Sequence, residues 1–210
     1  SSAIVSVNAD GSCIVYCSTV DMGQGSDTAM AQIAAEVLNI PLEKIRIVNP
    51  DTDVTPYDMS TLGSRSMFHM GHAVRLAATD AGEKLTAMAE EVGVPEGANT
   101  PVPELFIKKF GMRAGAIVGT ANYLPDYSPP NYDTGQSTNA TPFWMIGGTG
   151  AEVEVDTETG EFRILRLINV CDIGKPINPE VVETQISGAA VMQLGFTLTE
   201  KMIIEDGQLT

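Results

Sequence analysis

The chain has 210 residues, of which 43% are hydrophobic and 19% charged, a composition typical of a folded globular protein rather than a disordered one. Its formal net charge of -15 argues against nucleic acid or an anionic membrane surface as a partner, because like charges repel. No apolar run approaches the roughly 20 residues of a membrane helix, and the segment after Ser1 lacks the basic and apolar regions of a signal peptide. We therefore expect a soluble, cytoplasmic protein with no membrane partner.

The first elements predicted along the chain are a β-hairpin, a helix and a strand. Residues 2–7 and 12–18 alternate apolar and polar side chains around a turn sequence, which indicates a hairpin. Apolar residues then recur at helical spacing over residues 29–38, and Pro41 follows where that helix ends. Residues 44–48 have the pattern of a strand.

Three cysteines are present, Cys13, Cys17 and Cys171, and an odd number provides no disulfide framework and no four-thiolate metal site. Cys13 and Cys17 lie on one face of the second predicted strand. At about 3.3 Å per residue they are roughly 13 Å apart, too far to share a metal ion. We expect them to be small buried or half-buried residues of the core.

Between the hairpin and the helix lies a turn with two glycines one residue apart, Gly23 and Gly25. Glycine takes a positive φ readily and lets the backbone approach a ligand closely. Ser26 or Asp27 can cap the following helix, so that its free N–H groups and positive end point back at the glycines. This arrangement predicts a seat for an anionic or polar ligand, and the alternative is an ordinary tight turn with Gln24 solvated at its tip. Neither a dinucleotide fingerprint nor a P-loop follows the glycines.

A second turn, at residues 60–66, is rich in small and hydroxyl side chains. It follows an aperiodic loop at residues 49–60 and precedes a helical pattern at residues 67–92, so the design of the first turn is repeated. Ser64 and Ser66 can cap that helix, or they can offer hydrogen bonds to a ligand.

Charged and aromatic side chains follow the second turn. Arg65 is either a fork for a phosphate or carboxylate group or a solvated side chain. His69 and His72 share a helix face and could both reach one metal ion. Gly71 weakens the helix between them, and no nearby carboxylate or cysteine supplies a third ligand. Two ordinary packed or exposed histidines are therefore the favoured interpretation.

The middle of the chain, residues 94–142, is rich in proline, glycine, asparagine and threonine, and we expect little regular structure there beyond a strand at residues 114–118. We interpret the remainder as a long excursion or a linker between two lobes. The predicted division is a first lobe of residues 1–125 and a second lobe of residues 126–210.

The last third contains a second predicted hairpin and a long helix. Residues 150–156 and 162–169 alternate apolar and polar side chains around a glycine-containing turn. A helix then opens with Asn178 as its N-cap. Gln185 and Gln193 are its polar residues, and an amide suits recognition of a heterocycle edge, although each is more often exposed or capping.

These patterns predict an α+β protein of two lobes, each a β-hairpin-containing mixed sheet with packed helices. The residues that we expect to form its packed interiors are Ile14, Ile33, Val37, Ile47, Val153, Val155, Val191 and Leu194.

Four motifs stand in order along the chain: VDMGQGSDT at residues 20–28, LGSRS at 62–66 followed by GHA at 71–73, AEVEVD at 151–156, and CDIGKPINP at 171–179 followed by QISG at 185–188. Together they resemble the molybdopterin-binding subunit of the molybdenum hydroxylases, the xanthine dehydrogenase and aldehyde oxidoreductase family. The resemblance spans nearly the whole chain except residues 94–142. Four motifs in the same order are far more specific than any one of them.

The resemblance implies which residues bind the cofactor, and it implies no catalytic and no metal-ligating residue in this chain. The first turn would hold the pyranopterin by its backbone and by the Gln24 amide. Gly63 would pack close to the molybdenum centre, and Gln185 would be a further pterin contact. The implied cofactor-binding residues are Met22, Gly23, Gln24, Gly25, Gly63, Ser64, Ser66 and Gln185.

Two departures from the family pattern stand out. Thr184 precedes Gln185 where the family has glycine, and Ser187 stands where it has glutamate, which affects local backbone shape more than the amide contact. By the resemblance, the general-base glutamate of the family would lie beyond Thr210, and another molybdenum-facing segment would lie before Ser1. The chain therefore resembles a piece of a larger subunit, and we expect it to be inactive alone.

The resemblance also implies the function and the partners of the whole enzyme. It would hydroxylate aldehydes, purines or other N-heterocycles, using molybdenum-molybdopterin as the pterin alone or in its cytosine dinucleotide form. Electrons would leave through iron–sulfur clusters and FAD on partner chains or domains, and the remainder of the molybdenum subunit would be a partner. The alternative is a non-catalytic scaffold or protein-interaction module with the same fold.

Overall fold

The computed structural model describes residues 1–48, 50–95, 97–98, 100–113 and 115–209. The chain divides into two compact units, Ser1–Asn139 and Ala140–Thr210. The division at residue 125 that we inferred from the sequence stays a prediction. Among the described residues, no helix has both the length and the apolar character that crossing a membrane requires.

The first unit is built on a mixed four-stranded sheet. Its strands are β1 (Ser2–Asn8), β2 (Cys13–Cys17), β3 (Ile45–Val48) and β4 (Ala116–Asn122). They lie in the order β3-β2-β1-β4, in which β1 pairs antiparallel with β2 and with β4, and β2 pairs parallel with β3. The predicted first hairpin and the strand after the first helix are therefore confirmed. Ala114, where the fourth strand was predicted to start, lies outside the described residues, as does Asn49 in the predicted loop.

Helices pack on one face of this sheet. They are α1 (Ser26–Leu38), a 3-10 turn (Leu42–Lys44), a π-helical turn (Ser66–Met70), α2 (Gly71–Glu91) and α3 (Val102–Phe110). The expectation of little regular structure after residue 94 is wrong at α3. Pro103 lies in the first turn of α3, where proline is tolerated because its missing N–H is not needed. Leu105 and Phe106 bury that helix against Met88.

The core of the first unit lies between the sheet and the helices α1 and α2. Alternate strand residues such as Val5 and Val15 are fully buried, as are Cys13 and Cys17, which confirms the core interpretation of these cysteines. The strand period of two turns Ile14 to the opposite face, where it is only half-buried. The other residues predicted for this core are Ile33, which is buried, and Val37 and Ile47, which are half-buried.

Small residues let β4 and α2 approach closely. A Cβ atom added to Gly119 would lie 2.1 Å from the carbonyl oxygen of Ala77 and 2.5 Å from the backbone nitrogen of Ala81. Such distances leave no room for any side chain. The helix therefore rests directly on the backbone of the strand at this point.

The second unit contains antiparallel hairpins and one long helix. Its elements are β5 (Ile146–Val155), β6 (Phe162–Asp172), α4 (Pro179–Leu198), β7 (Ile204–Glu205) and β8 (Gln208–Leu209). The α+β class is confirmed, whereas the mixed sheet expected in the second lobe is wrong, because β5–β6 and β7–β8 are antiparallel pairs. Asn178 caps α4 as predicted, since its side-chain oxygen accepts from the N–H of Val181 at 3.2 Å.

The predicted interior of the second unit is largely wrong. Val153, Val155 and Val191 are 52%, 53% and 66% exposed, and Leu194 is only half-buried. None of the residues described between 140 and 209 is fully buried. Two hairpins and one helix do not enclose a core by themselves.

Candidate functional site

The first glycine turn joins β2 to α1 and needs both of its glycines. Gly23 has φ +97° and Gly25 has φ +76°, conformations that other residues adopt at a cost. The space where a Cβ of Gly23 would stand is open to at least 4 Å, so a ligand can approach this backbone. Gly25 itself is the N-cap of α1, without a side-chain cap. The predicted capping by Ser26 or Asp27 is therefore wrong.

Asp21 takes the capping role that we assigned to those residues. Its Oδ1 accepts from the N–H of Gly23 at 2.8 Å, and its Oδ2 accepts from the N–H of Asp27 at 3.1 Å. These backbone hydrogen bonds, with Gly23 first, hold the pKa of Asp21 below its ordinary value. The pKa of Asp27 is raised by burial and by the Asp21 charge. A carboxylate of the chain itself, that of Asp21, thus lies at the positive N-terminal end of α1. Its negative charge favours an uncharged polar ligand there over an anion.

Gln24 closes the same turn with its side-chain amide. Its Oε1 accepts from the N–H of Met22 at 2.6 Å, and its Nε2 donates to the Val20 carbonyl at 2.9 Å and to the Ser26 hydroxyl at 3.2 Å. The alternative of a Gln24 side chain solvated at the tip is therefore wrong. Both amide hydrogens are used, and one lone pair of Oε1 remains for a further donor.

The second turn also presents open backbone. Gly63 has φ +56° and Ser64 has φ +58°, and nothing lies within 4 Å of a Cβ position on Gly63. The π-helical turn that follows has Arg65 as its N-cap and no side-chain cap, so the predicted capping by Ser64 or Ser66 is wrong. Ser64 is exposed and Ser66 is half-buried. π-Helical turns are rare and occur frequently at functional sites.

Arg65 anchors this second turn from inside the protein. Its guanidinium donates to Asp58 Oδ1 at 3.3 Å and to the Ser60 carbonyl at 2.9 Å. The side chains of Arg65 and Asp58 are only 11% and 3% exposed. Arg65 thus pairs with a carboxylate through a single N–H, but that carboxylate belongs to its own chain, and the side chain is not solvated.

The two histidines are packed in an aromatic cluster. His72 stacks on Tyr123 with ring centroids 4.5 Å apart, and Phe68 contacts both histidines. His69 Nδ1 accepts from Arg65 at 3.2 Å, because a guanidinium can only donate. Burial, with the Arg65 charge second, lowers the pKa of His69. No group of three His, Cys, Asp or Glu side chains that could hold a metal ion occurs in the described ranges.

Val20 connects the two turns. Its N–H donates to the Thr61 hydroxyl at 2.8 Å, and its carbonyl accepts from Gln24 Nε2 at 2.9 Å. Ser18, two residues earlier, donates its hydroxyl to the Pro56 carbonyl at 2.5 Å, in the loop that leads to the second turn. The start of the second turn, at Thr61, is therefore hydrogen-bonded to Val20, directly before the first turn. Gln185 is an exposed residue of α4 in the second unit.

The whole chain, residues 1–210, matches the family described as molybdopterin cofactor-binding domain. The chain belongs to this family. It is a molybdopterin-binding domain of the xanthine dehydrogenase and aldehyde oxidoreductase type, so the resemblance of the four motifs is confirmed.

Curated relatives and solved structures agree with this assignment. The chain is 31% identical to a probable hypoxanthine oxidase of Escherichia coli and 34% identical to xanthine dehydrogenase 1 of Arabidopsis thaliana, over 96% and 95% of its length. It superimposes on quinoline 2-oxidoreductase of Pseudomonas putida with a TM-score of 0.79, 28% identity and 99% coverage of this chain. On the aldehyde oxidoreductase of Desulfovibrio desulfuricans it superimposes with a TM-score of 0.70, at 30% identity and over 93% of this chain.

This molybdopterin-binding domain spans only part of each of those proteins. It covers 21% and 14% of the two curated relatives and 28% and 20% of the two solved chains.

The chemistry of the two turns fits a pterin. Open backbone at Gly23 and Gly63, the Ser64 and Ser66 hydroxyls and the remaining lone pair of Gln24 form an uncharged set of donors and acceptors. The edge of a pterin is an uncharged heterocycle that both donates and accepts hydrogen bonds. Sequence reasoning missed Asp21, Asp58 and Thr61, of which only Asp21 carries a local signal, an aspartate two residues before a glycine in a turn.

Proposed function

We propose that the two adjoining turns of the first unit hold the pterin of a molybdenum-molybdopterin cofactor. The observation that carries the proposal is the double hydrogen bonding of Val20, to Thr61 on one side and to Gln24 on the other, because it fastens two ligand-accessible turns to each other. The residues proposed to contact the cofactor are Met22, Gly23, Gln24, Gly25, Gly63, Ser64, Ser66 and Gln185. When bound, the cofactor supplies the molybdenum centre for substrate hydroxylation.

Each part of the site has a distinct task in this proposal. Gly23 and Gly63 leave their backbone accessible, and the hydroxyls of Ser64 and Ser66 donate to or accept from the pterin ring. Gln24 contacts the pterin through the free lone pair of Oε1, or exchanges one of its bonds within the turn for a bond to the ring. No charged side chain is required for these contacts.

We propose that this chain does not turn over substrate by itself. Asp21 is the carboxylate nearest in sequence to the proposed contacts, and both of its oxygens already accept backbone N–H groups that lower its pKa. An ionised, fully engaged carboxylate is a poor general base. The base is therefore expected from another part of the enzyme, and turnover by the isolated chain would contradict this.

The whole protein is proposed to be a cytoplasmic oxidoreductase that hydroxylates aldehydes, purines or other N-heterocycles. The names of the relatives support these substrate classes, since they include a hypoxanthine oxidase, a quinoline oxidoreductase and an aldehyde oxidoreductase. The proposal covers the pterin alone and its cytosine dinucleotide form. It places iron–sulfur clusters and FAD on partner chains or domains.

The remainder of the molybdenum subunit is the proposed partner of the second unit. Trp144, Met192 and Phe196 are 79%, 70% and 69% exposed, and large apolar side chains so exposed usually mark an interaction surface. The relatives of this chain are several times longer, which makes a covering segment of the same enzyme the natural occupant.

Cofactor content of the full molybdenum subunit tests the proposed site. Gln24→Ala and Ser64→Ala are expected to lower the bound molybdenum and pterin by about tenfold each, the order of one lost hydrogen bond. Gln136→Ala and Ser12→Ala are the matched controls, because Gln136 lies in an exposed loop and Ser12 at the opposite end of β2. If Gln24→Ala and Ser64→Ala both kept the wild-type molybdenum and pterin content, the result would favour the non-catalytic scaffold instead.

A further inference from the structure

We propose that Asp21 is a positioning residue of the cofactor site, which holds the first glycine turn in the shape that presents Gly23 and Gln24 to the pterin. The proposal rests on the proposed function of this turn. It concerns a residue that does not itself touch the cofactor.

The geometry shows how one carboxylate fixes the whole turn. Asp21 Oδ1 holds the N–H of Gly23, two residues later, and Oδ2 holds the N–H of Asp27, six residues later. The first bond therefore fixes Gly23, whose φ is +97°, and the second bond fixes the first turn of α1. The segment between them, which contains Gln24, is clamped at both of its ends.

The Gln24 side chain depends on the same clamp. Its amide bonds reach the N–H of Met22, the carbonyl of Val20 and the hydroxyl of Ser26, all within the segment that Asp21 encloses or adjoins. Without the Asp21 bonds, the turn gains backbone conformations in which those three partners no longer converge. The amide of Gln24 then loses its fixed direction.

Asp21 contributes little to packing, so its effect on the turn comes from its hydrogen bonds and its charge. It is an exposed residue, in contrast to the buried pair of Arg65 and Asp58. Its charge lies at the N-terminal end of α1, where a negative charge is favourable. Asp27 is the other titratable group at this position, and it faces Asp21 from the first turn of the helix.

The experiment compares Asp21→Ala, Asp21→Asn and Asp10→Asn in the full molybdenum subunit. Asp10 is the matched control, because its Oδ1 also accepts a backbone N–H two residues later, that of Ser12 at 2.9 Å, but at the far end of β2. Molybdenum and pterin content, the thermal midpoint and amide hydrogen exchange at Gly23 and Asp27 are measured for each variant.

We expect Asp21→Ala to lower cofactor content about tenfold and to speed exchange at both amides, as loss of hydrogen bonds to a charged group requires. Asp21→Asn keeps an uncharged acceptor and is expected to retain part of the cofactor content. Asp10→Asn is expected to retain all of it. If Asp21→Ala does not fold, Asp21→Asn decides by the same measurements. The proposal would be overturned if the Asp21 variants kept the wild-type cofactor content. It would also be overturned if, across the three variants, cofactor content fell only in proportion to the thermal midpoint.

The Gln24 and Ser64 variants distinguish this proposal from the one on which it rests. Loss of cofactor from Gln24→Ala and Ser64→Ala together with full retention by Asp21→Ala refutes the positioning role alone. Full retention by Gln24→Ala and Ser64→Ala refutes the cofactor site itself.

Discussion

The hydroxyl of Thr61 accepts the backbone N–H of Val20 at 2.8 Å, although the two residues are 41 positions apart in the chain. This bond fastens the glycine turn before α1 to the serine-rich turn before α2. Two loops that follow different elements are thereby joined at this point.

Thr61→Val should loosen this junction without changing the size of the side chain. We expect the variant to lose about 1 kcal/mol of stability, the value of one ordinary hydrogen bond, and part of its bound cofactor. Thr86→Val is the control, because the Thr86 hydroxyl donates to the Gly82 carbonyl within α2. Equal cofactor content in the two variants would contradict a coupling role for Thr61.

Gly119→Ala should strongly destabilise the first unit. The added methyl group would overlap the Ala77 carbonyl oxygen, 2.1 Å away, so α2 must move off the sheet. We expect a loss of about 3 kcal/mol or more in the free energy of unfolding, measured by denaturant titration.

Gly82→Ala provides the matched comparison within α2. Its added Cβ would meet only Leu38 Cδ2, at 3.8 Å, an ordinary contact. Alanine is the better helix former, so this variant should gain up to about 1 kcal/mol. Similar losses in both glycine variants would show that the contact at Gly119 is not decisive.

Native alkylation should separate the three cysteines. Burial raises the pKa of the Cys13 and Cys17 thiols to about 11, whereas Cys171 is exposed. A thiol reagent at about pH 8 should therefore label the Cys171 peptide rapidly and the other two only after unfolding, as peptide mapping by mass spectrometry would show.

The same thiols make stability depend on alkaline pH. Their pKa values are raised on folding, so the unfolded chain releases its protons first, above the ordinary value of 9.0. The stabilisation by the two buried thiols is complete below pH 9 and is lost as the pH rises from 9 towards 11. The double variant with alanine at both positions should lack this part of the decline in denaturant titrations.

His69 should make stability depend on mildly acidic pH. Burial and the Arg65 charge lower its pKa in the folded protein, so the unfolded chain takes up a proton first. The contribution is complete above the ordinary pKa of 6.5 and is lost as the pH falls from 6.5 towards the lower folded value. His69→Gln should remove this part of the pH dependence, and an imidazole titration of His69 by NMR at or above 6.5 would contradict it.

Sequence reasoning found the elements whose signals are local. The first hairpin, the glycine turn, α1 and the Asn178 cap of α4 each depend on spacing or on a few neighbouring residues. It failed at α3, because the composition of residues 94–142 led us to expect little regular structure there, whereas Pro103 lies in the first turn of a helix, where proline is tolerated. It also failed for the interior of the second unit, because alternation gives the face of a strand but not what covers it.

By itself, the sequence determined the family, the α+β class and the two turns with their glycines and hydroxyls, since motifs and periodicity are properties of short segments. Only the tertiary structure decided how the polar groups are used: Gln24 bonded within its own turn, Asp21 at the N-terminal end of α1, and Arg65 paired with the buried Asp58. The physical reason is that a donor selects its acceptor by distance and direction in space. Links such as Val20 to Thr61 join segments far apart in the chain, so no local pattern contains them.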